Sequence, residues 1–349
     1  MTRLPSPICR YVRHAAMLCV TVVVTLVLPA VAHAQADIML SQYYESPAYY
    51  NPAAIGTTDN IRIRAGGRLQ WVGIDNAPQT FYGTANMPFK FLGKRFGVGV
   101  MLQQSSEGLY NNLVVGAQFG YKIKLLKGEL TGALQVGYLD EGFKGSKVVI
   151  PDNDDFHQGT DEAIPTTDVH GGALDLGVGI FYNHPKFWAG VSCTHVNSPV
   201  VTFSGDGVTS GSSSAEGGDA TNSVKNFEFQ ASRTLYFMAG SNIPIKNTLF
   251  EVMPSIMVAS DFNFYTGKID ARVRYNKFLT FGVGYRYKDA LSATVGAEFK
   301  GIFVGYSYDY PLNAISKASS GSHEFVVGYS LKLDFSEKNK NRHKNIRIM

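Results

Sequence analysis

Asn60-Ile61-Arg62-Ile63-Arg64-Ala65-Gly66-Gly67-Arg68-Leu69-Gln70-Trp71 decides the fold. Ile61, Ile63, Ala65, Gly67, Leu69 and Trp71 occupy alternate positions, and Arg62, Arg64, Gly66, Arg68 and Gln70 fill the gaps. A period of two separates these sets onto the two faces of a β-strand, whereas a helix would scatter the arginines around its circumference. One face suits water and the other an apolar phase. The length suits a tilted crossing of a bilayer, which takes about 9 to 11 residues.

The same alternation recurs along the chain. It places strands near 60–71, 79–89, 95–104, 111–124, 129–141, 171–182, 187–197, 232–243, 249–260, 267–275, 278–287, 291–299, 302–310 and 323–335. These make an antiparallel transmembrane β-barrel of 14 strands, all-β in class, whose even number brings both ends of the wall to one side. The connections sort by side. The second, fourth, sixth, eighth, tenth and twelfth are short and hold Lys90 and Lys94, Lys127, Lys186, Lys246, Lys277 and Lys300. The long segments, Gly142–His170, Ser198–Ala231 and Pro311–Ser322, all fall in the other set. Short periplasmic turns and longer outer loops are the rule for bacterial barrels, and a soluble sandwich has no reason to sort its loops this way.

Composition agrees. Of 349 residues 36 are glycine, 12% are aromatic and only 17% are charged, where soluble domains carry about 25% charged residues. The mean hydropathy of -0.05 is too polar for a bundle of membrane helices. On the last strand Phe325, Val327, Tyr329, Leu331, Leu333 and Phe335 share the outer face, and Glu324, Gly328, Ser330, Lys332 and Asp334 face the lumen. Tyr285, Tyr287, Tyr306, Tyr308 and Tyr310 suit the interfacial girdles.

Four segments follow from these patterns: an export signal over 1–34, an N-terminal periplasmic or plug segment over 35–59, the barrel over 60–335 and a basic tail over 336–349. In the first, Arg3, Arg10 and Arg13 precede an uncharged stretch, and Ala32-His33-Ala34 offers a cleavage site. Cys9 and Cys19 leave with it, so Cys193 has no partner for an internal disulfide. Loss of the three arginines lowers the basic count from 32 to 29, against 28 acidic residues. That balance suggests no nucleic-acid partner. The tail, with Lys338, Lys340, Arg342, Lys344 and Arg347, reads as a solvated end or a dock for acidic groups.

No catalytic constellation, metal site or cofactor site emerges. Asp152, Asp154, Asp155, Asp161 and Glu162 form an acidic loop, but His157 stands where an EF-hand needs glycine. His195 and His323 are the strand-associated histidines, and no Gly-x-Ser-x-Gly segment accompanies either. Ser204–Asp219 reads as a flexible outer loop with no helix behind it to cradle phosphate.

The strongest local signal precedes the first strand: Ser41-Gln42-Tyr43-Tyr44, then Pro47-Ala48-Tyr49-Tyr50-Asn51-Pro52-Ala53-Ala54-Ile55-Gly56. Two prolines forbid a long helix or strand, and the clustered tyrosines call for cover from water. Gln42, Tyr43, Pro47, Tyr49, Tyr50, Asn51 and Pro52 are therefore candidates for a plug, for a docking epitope at the periplasmic mouth, or for both. Arg62, Arg64, Arg68, Gln70, Arg272, Arg274, Arg286 and Glu324 are candidate lumen and seam residues. Closing the barrel sets the first strand beside the last, so Glu324 is expected to pair with Arg68 or Gln70 and fix the register of closure.

Gln42-Tyr43-Tyr44, Pro47, Asn51-Pro52-Ala53, Gly56, Arg68-x-Gln70-Trp71 and Gly321-Ser322-His323-Glu324, in this order, resemble the PorP/SprF family. These are outer-membrane proteins of the type IX secretion system of Bacteroidetes. The resemblance implies a non-enzymatic role in export or in surface anchoring of cargo such as large adhesins. It also implies outer-membrane lipid, a periplasmic ring such as PorK/PorN and secreted cargo as partners. The tail is a departure from members that end near the final aromatic residue. From the residues alone, a diffusion porin or substrate channel, and a surface adhesin, stay open as rivals.

Overall fold

The computed structural model describes residues 38–148, 165, 167–203 and 228–333. Its wall consists of β1 (Asn60–Leu69), β2 (Gln79–Phe91), β3 (Lys94–Glu107), β4 (Tyr110–Leu125), β5 (Gly128–Lys144), β6 (Asp168–Asn183) and β7 (Phe187–Thr194). Two short strands follow, β8 (Val200–Thr202) and β9 (Glu228–Gln230). The wall resumes with β10 (Thr234–Ser241), its short continuation β11 (Ile243–Pro244), β12 (Phe250–Ser260), β13 (Tyr265–Tyr275), β14 (Leu279–Arg286), β15 (Ala290–Phe299), β16 (Ile302–Pro311) and β17 (Ser322–Lys332). Each wall strand pairs antiparallel with its neighbours, β7 with β10, β10 with β12, and β17 with β1. With β10 and β11 as one stave, the result is a closed 14-stranded antiparallel barrel.

The alternation of the sequence is the alternation of the wall. On β17, Phe325, Val327, Tyr329 and Leu331 are exposed on the outside, and Glu324 and Val326 are fully buried inside. At one end β2–β3, β4–β5 and β15–β16 turn through Leu92-Gly93, Leu126-Lys127 and Lys300-Gly301, whose residues at positive φ include Leu92, Leu126, Lys127, Lys300 and both glycines. Such left-handed pairs match the twist of a two-residue hairpin. The opposite end carries the long loops.

The strands differ from the sequence expectation at their ends. β1 stops at Leu69 because Trp71 takes φ 52°, and Gln70 and Val72 donate their N–H groups to Pro78 and Gly321 across the loop. β7 stops at Thr194 because His195 is also left-handed, at φ 52°. In contrast β5 and β6 run on to pair Lys144 with Asp168, which shortens the loop expected from Gly142. The expected loop Ser198–Ala231 is not structureless at its base: β8 and β9 form a ribbon there, with Val201 and Phe203 buried. Ser204–Asp219, the acidic loop from Asp152 to Glu162, the signal and the basic tail lie outside the described residues.

Candidate functional site: the filled lumen

The lumen is filled by residues 38–57 of the same chain. Ser46-Pro47 and Asn51-Pro52 shape this segment. Pro47 opens a four-residue helix (Pro47–Tyr50) and Pro52 a 3-10 turn (Pro52–Ala54), both with proline in the first turn, where its missing N–H costs nothing. The Asn51 side chain caps the second turn by accepting from Ala53 N–H at 2.8 Å. The segment starts among long-loop-end residues, where Ile38 and Met39 line one cavity with Gln70, Trp71, Asp289 and Asn313. It leaves at the short-turn end, where Lys122 Nζ donates to the Gly56 carbonyl and Asn183 Nδ2 to that of Thr57 at 2.9 Å.

Near its start the segment sits in a cluster of ions. Glu324, opposite Arg68 in the β1–β17 register, accepts the backbone N–H groups of Ser41 (2.6 Å) and Gln42 (2.7 Å). Arg68 Nη1 lies 3.3 Å from Glu324 Oε2 and 2.8 Å from Asp309 Oδ2, and donates to Ser41 Oγ at 2.9 Å. Arg68 Nε reaches Gln70 Oε1 at 3.3 Å, so Gln70 meets the arginine and not the carboxylate. Arg286 bonds Asp309, Asp289, Ser41 Oγ and the Met39 carbonyl, and Lys268 Nζ donates to the Ser41 carbonyl at 2.6 Å. Charges this deeply buried are stable only when paired and hydrogen-bonded.

Lower in the lumen the contacts change. Glu45 reaches Arg62 at 3.9 Å and Arg64 at 3.7 Å, and Arg272 stacks 3.3 Å from the Tyr44 ring centroid. Arg274 pairs with Glu251 on the wall itself, away from the plug. Tyr49 donates to Gln103 at 2.6 Å, and Tyr50 takes the Leu40 N–H at 2.8 Å. Asn51 Nδ2 donates to the wall carbonyls of Ile180 and Val191 at 3.1 and 3.2 Å. This approach needs bare backbone: a Cβ on Gly179 would stand 2.2 Å from Asn51 Oδ1, and one on Gly97 would stand 3.0 Å from the Ile55 carbonyl.

All seven candidates of the segment therefore lie within the lumen, with Gln42, Tyr43 and Asn51 at 0% exposure and Tyr49 at 6%. Arg62, Arg64, Arg68, Gln70, Arg272, Arg286 and Glu324 line the surface that holds it. Sequence reasoning left out Asp309, Lys268, Glu45 and Ser192, whose hydroxyl donates to the Tyr50 carbonyl at 2.8 Å. Their inward parity on the strands was the available signal for Asp309, Lys268 and Ser192. Above the plug a cavity of about 930 Å³ remains at the long-loop end, floored by Ile38 and Met39 and lined by Trp71, Tyr110, Glu141 and Phe229. His195 pairs with Asp175 at 2.8 Å, and His323 bonds the Tyr306 hydroxyl at 2.8 Å. Among the described residues no group of three or more His, Cys, Asp or Glu side chains is arranged to hold a metal ion.

Residues 32–329 match the family described as type IX secretion system membrane protein PorP/SprF. The chain belongs to this family. PorP/SprF membership and the closed barrel make it an outer-membrane barrel protein of the type IX secretion system, a class that is not one of enzymes. No curated protein matches the chain. Among solved structures, this PorP/SprF barrel is similar to a FadL homologue from Pseudomonas aeruginosa, with 8% identity, TM-score 0.47 and coverage of 83% of this chain and 94% of that one. It is also similar to the toluene transporter TodX of Pseudomonas putida, at 13% identity, TM-score 0.45 and coverage of 87% and 96%. A third likeness is to the translocator domain of the autotransporter NalP from Neisseria meningitidis, at 13%, 0.38, and coverage of 78% and 87%. Likenesses at this level carry nothing about what the PorP/SprF barrel binds or moves.

Proposed function

We propose that the protein supports export or surface anchoring of type IX cargo, such as large adhesins, as a barrel with a closed lumen. One observation carries this reading beyond family membership: residues 38–57 run through the lumen from the floor of the long-loop-end cavity to the short-turn end and are bonded to the wall along the way. A diffusion porin needs a continuous aqueous path, and a segment bonded to the wall along the lumen speaks against one. Arg62, Arg64, Arg68, Arg272 and Arg286 serve to hold the plug and not to select solutes.

The implied partners are secreted cargo and a periplasmic ring such as PorK/PorN. Direct docking on Tyr49 or Tyr50 requires the segment to leave the lumen, since both rings are buried against the wall. Photo-crosslinkers at these positions should therefore capture barrel residues in the resting protein, and a ring component only during active export.

The decisive experiment deletes the gene and follows two outputs. Surface display of type IX cargo should fall while sensitivity to antibiotics and small-solute uptake stay at their starting levels. The purified barrel in a planar bilayer should show no steady current. Altered solute uptake with intact cargo display, or a steady open conductance, would replace this reading with the porin.

A further inference from the structure

We propose that the short-turn rim is a binding girdle for anionic phospholipid headgroups of the phosphatidylglycerol class, in the leaflet facing the periplasm. The proposal needs the barrel's place in the outer membrane with its short turns toward the periplasm, and is independent of the secretion role. Each of the six short connections exposes a lysine: Lys94, Lys127, Lys186, Lys246, Lys277 and Lys300. None of the six is ion-paired among the described residues. Among the described residues the carboxylates of this rim are already engaged: Asp59 and Glu129 hold Arg95, and Glu251 holds Arg274. Glu298 points into the lumen by strand alternation.

Two contacts show where the ammonium groups go. Lys94 Nζ lies 5.8 Å from the centre of the Tyr121 ring, and Lys300 Nζ lies 5.3 Å from that of Phe299. Both rings are on the outer wall, at 40% and 62% exposure. These lysines thus lean along the lipid-facing surface, with stems on apolar rings and charges at headgroup height. The long-loop rim has no such uniformity. There Lys288 also leans on an exposed ring, 5.1 Å from the centre of Tyr287, but Lys144 stands opposite Asp168, where positive charge is locally offset. A ring of unpaired cations at one interface, spaced turn by turn around the barrel, fits a layer of phosphates.

The test uses the full mature chain refolded into vesicles of phosphatidylcholine with 30% phosphatidylglycerol, carrying a trace of spin-labelled lipid of either class. Electron spin resonance reads the motionally restricted fraction. The unaltered barrel should restrict phosphatidylglycerol several-fold more than phosphatidylcholine at low salt, and 0.5 M NaCl should shrink the ratio. Replacing the six lysines by Gln should bring the ratio to about 1, and replacing them by Arg should preserve it. Gel mobility before and after heating checks that each variant is folded. A ratio near 1 in the unaltered barrel overturns the proposal. So does a preference that survives the Gln variant, and if that variant has instead lost cargo display in cells, the rim docks an acidic protein.

Discussion

The two ends of the plug are held by different physics. The Ser41 end meets β1, β13, β14, β16 and β17 through carboxylates, guanidinium groups and an ammonium group, with five charged side chains around one serine. The Asn51–Ile55 stretch meets β3, β6 and β7 through backbone carbonyls and bare glycine positions, and among the described residues no ion pair reaches it; only past it does the Lys122 ammonium take the Gly56 carbonyl. Ion pairs set position through direction and charge, and tolerate small shifts of the backbone. Close backbone packing admits no added atom. The first end should fail by degrees and the second all at once.

The largest effect should come from crowding the packed end. Gly179→Val places atoms where Asn51 and Pro52 lie, and the segment has no room to retreat. Loss of seating should turn a silent protein into one with steady planar-bilayer current, and added protease should cut near Tyr49. An unchanged, silent barrel would show that the glycine wall is not what fixes this end.

Next comes Glu324→Gln. The neutral amide keeps the shape but gives up the charge that faces Arg68 and two N–H donors, at about 2 to 4 kcal/mol. The unfolding temperature, read from heat-dependent gel mobility, should drop, and combination with Arg68→Gln should cost less than the two single losses added together. Strict additivity would separate the pair. A smaller change, about 1 to 2 kcal/mol, is expected for Asn51→Ala, which removes a turn cap and two wall bonds. Smallest is Glu251→Gln. Its partner Arg274 sits on the wall with 27% of its side chain exposed, outside both anchors. The expected cost is about 0 to 1 kcal/mol with no conductance.

Much of the wall was legible because a strand's period of two is a local property. Ile61 to Leu69 and Phe325 to Leu331 declare their faces without help from neighbours. The plug was half legible: four tyrosines within eight residues, broken by Pro47 and followed by Pro52, announce a segment that needs cover, but not which surface supplies it. Gly97 and Gly179 look like any other barrel glycines until Ile55 and Asn51 are seen against them. Arg68 opposite Glu324 was accessible from the topology of closure. Asp309 and Lys268 were not, because their meeting at Ser41 depends on the stagger of strands far apart in sequence. Trp71 and His195 ended their strands early through left-handed backbone that alternation alone cannot reveal.

Glu324 joins three parts of the chain that are distant in sequence: the last strand, the first strand through Arg68, and the plug through Ser41 and Gln42. The seat for Ser41 consequently does not exist in a half-built wall. While β17 is still apart from β1, the carboxylate and Arg68 are apart too, and the tyrosine-rich segment has no complete receptor. Seating is thereby a late event in assembly, delayed by a pairing between the first and last wall strands, far apart in sequence. A nascent barrel in that interval exposes both an open edge and an aromatic peptide, the two features most prone to misassociation. A single carboxylate thus marks the moment at which both hazards are withdrawn.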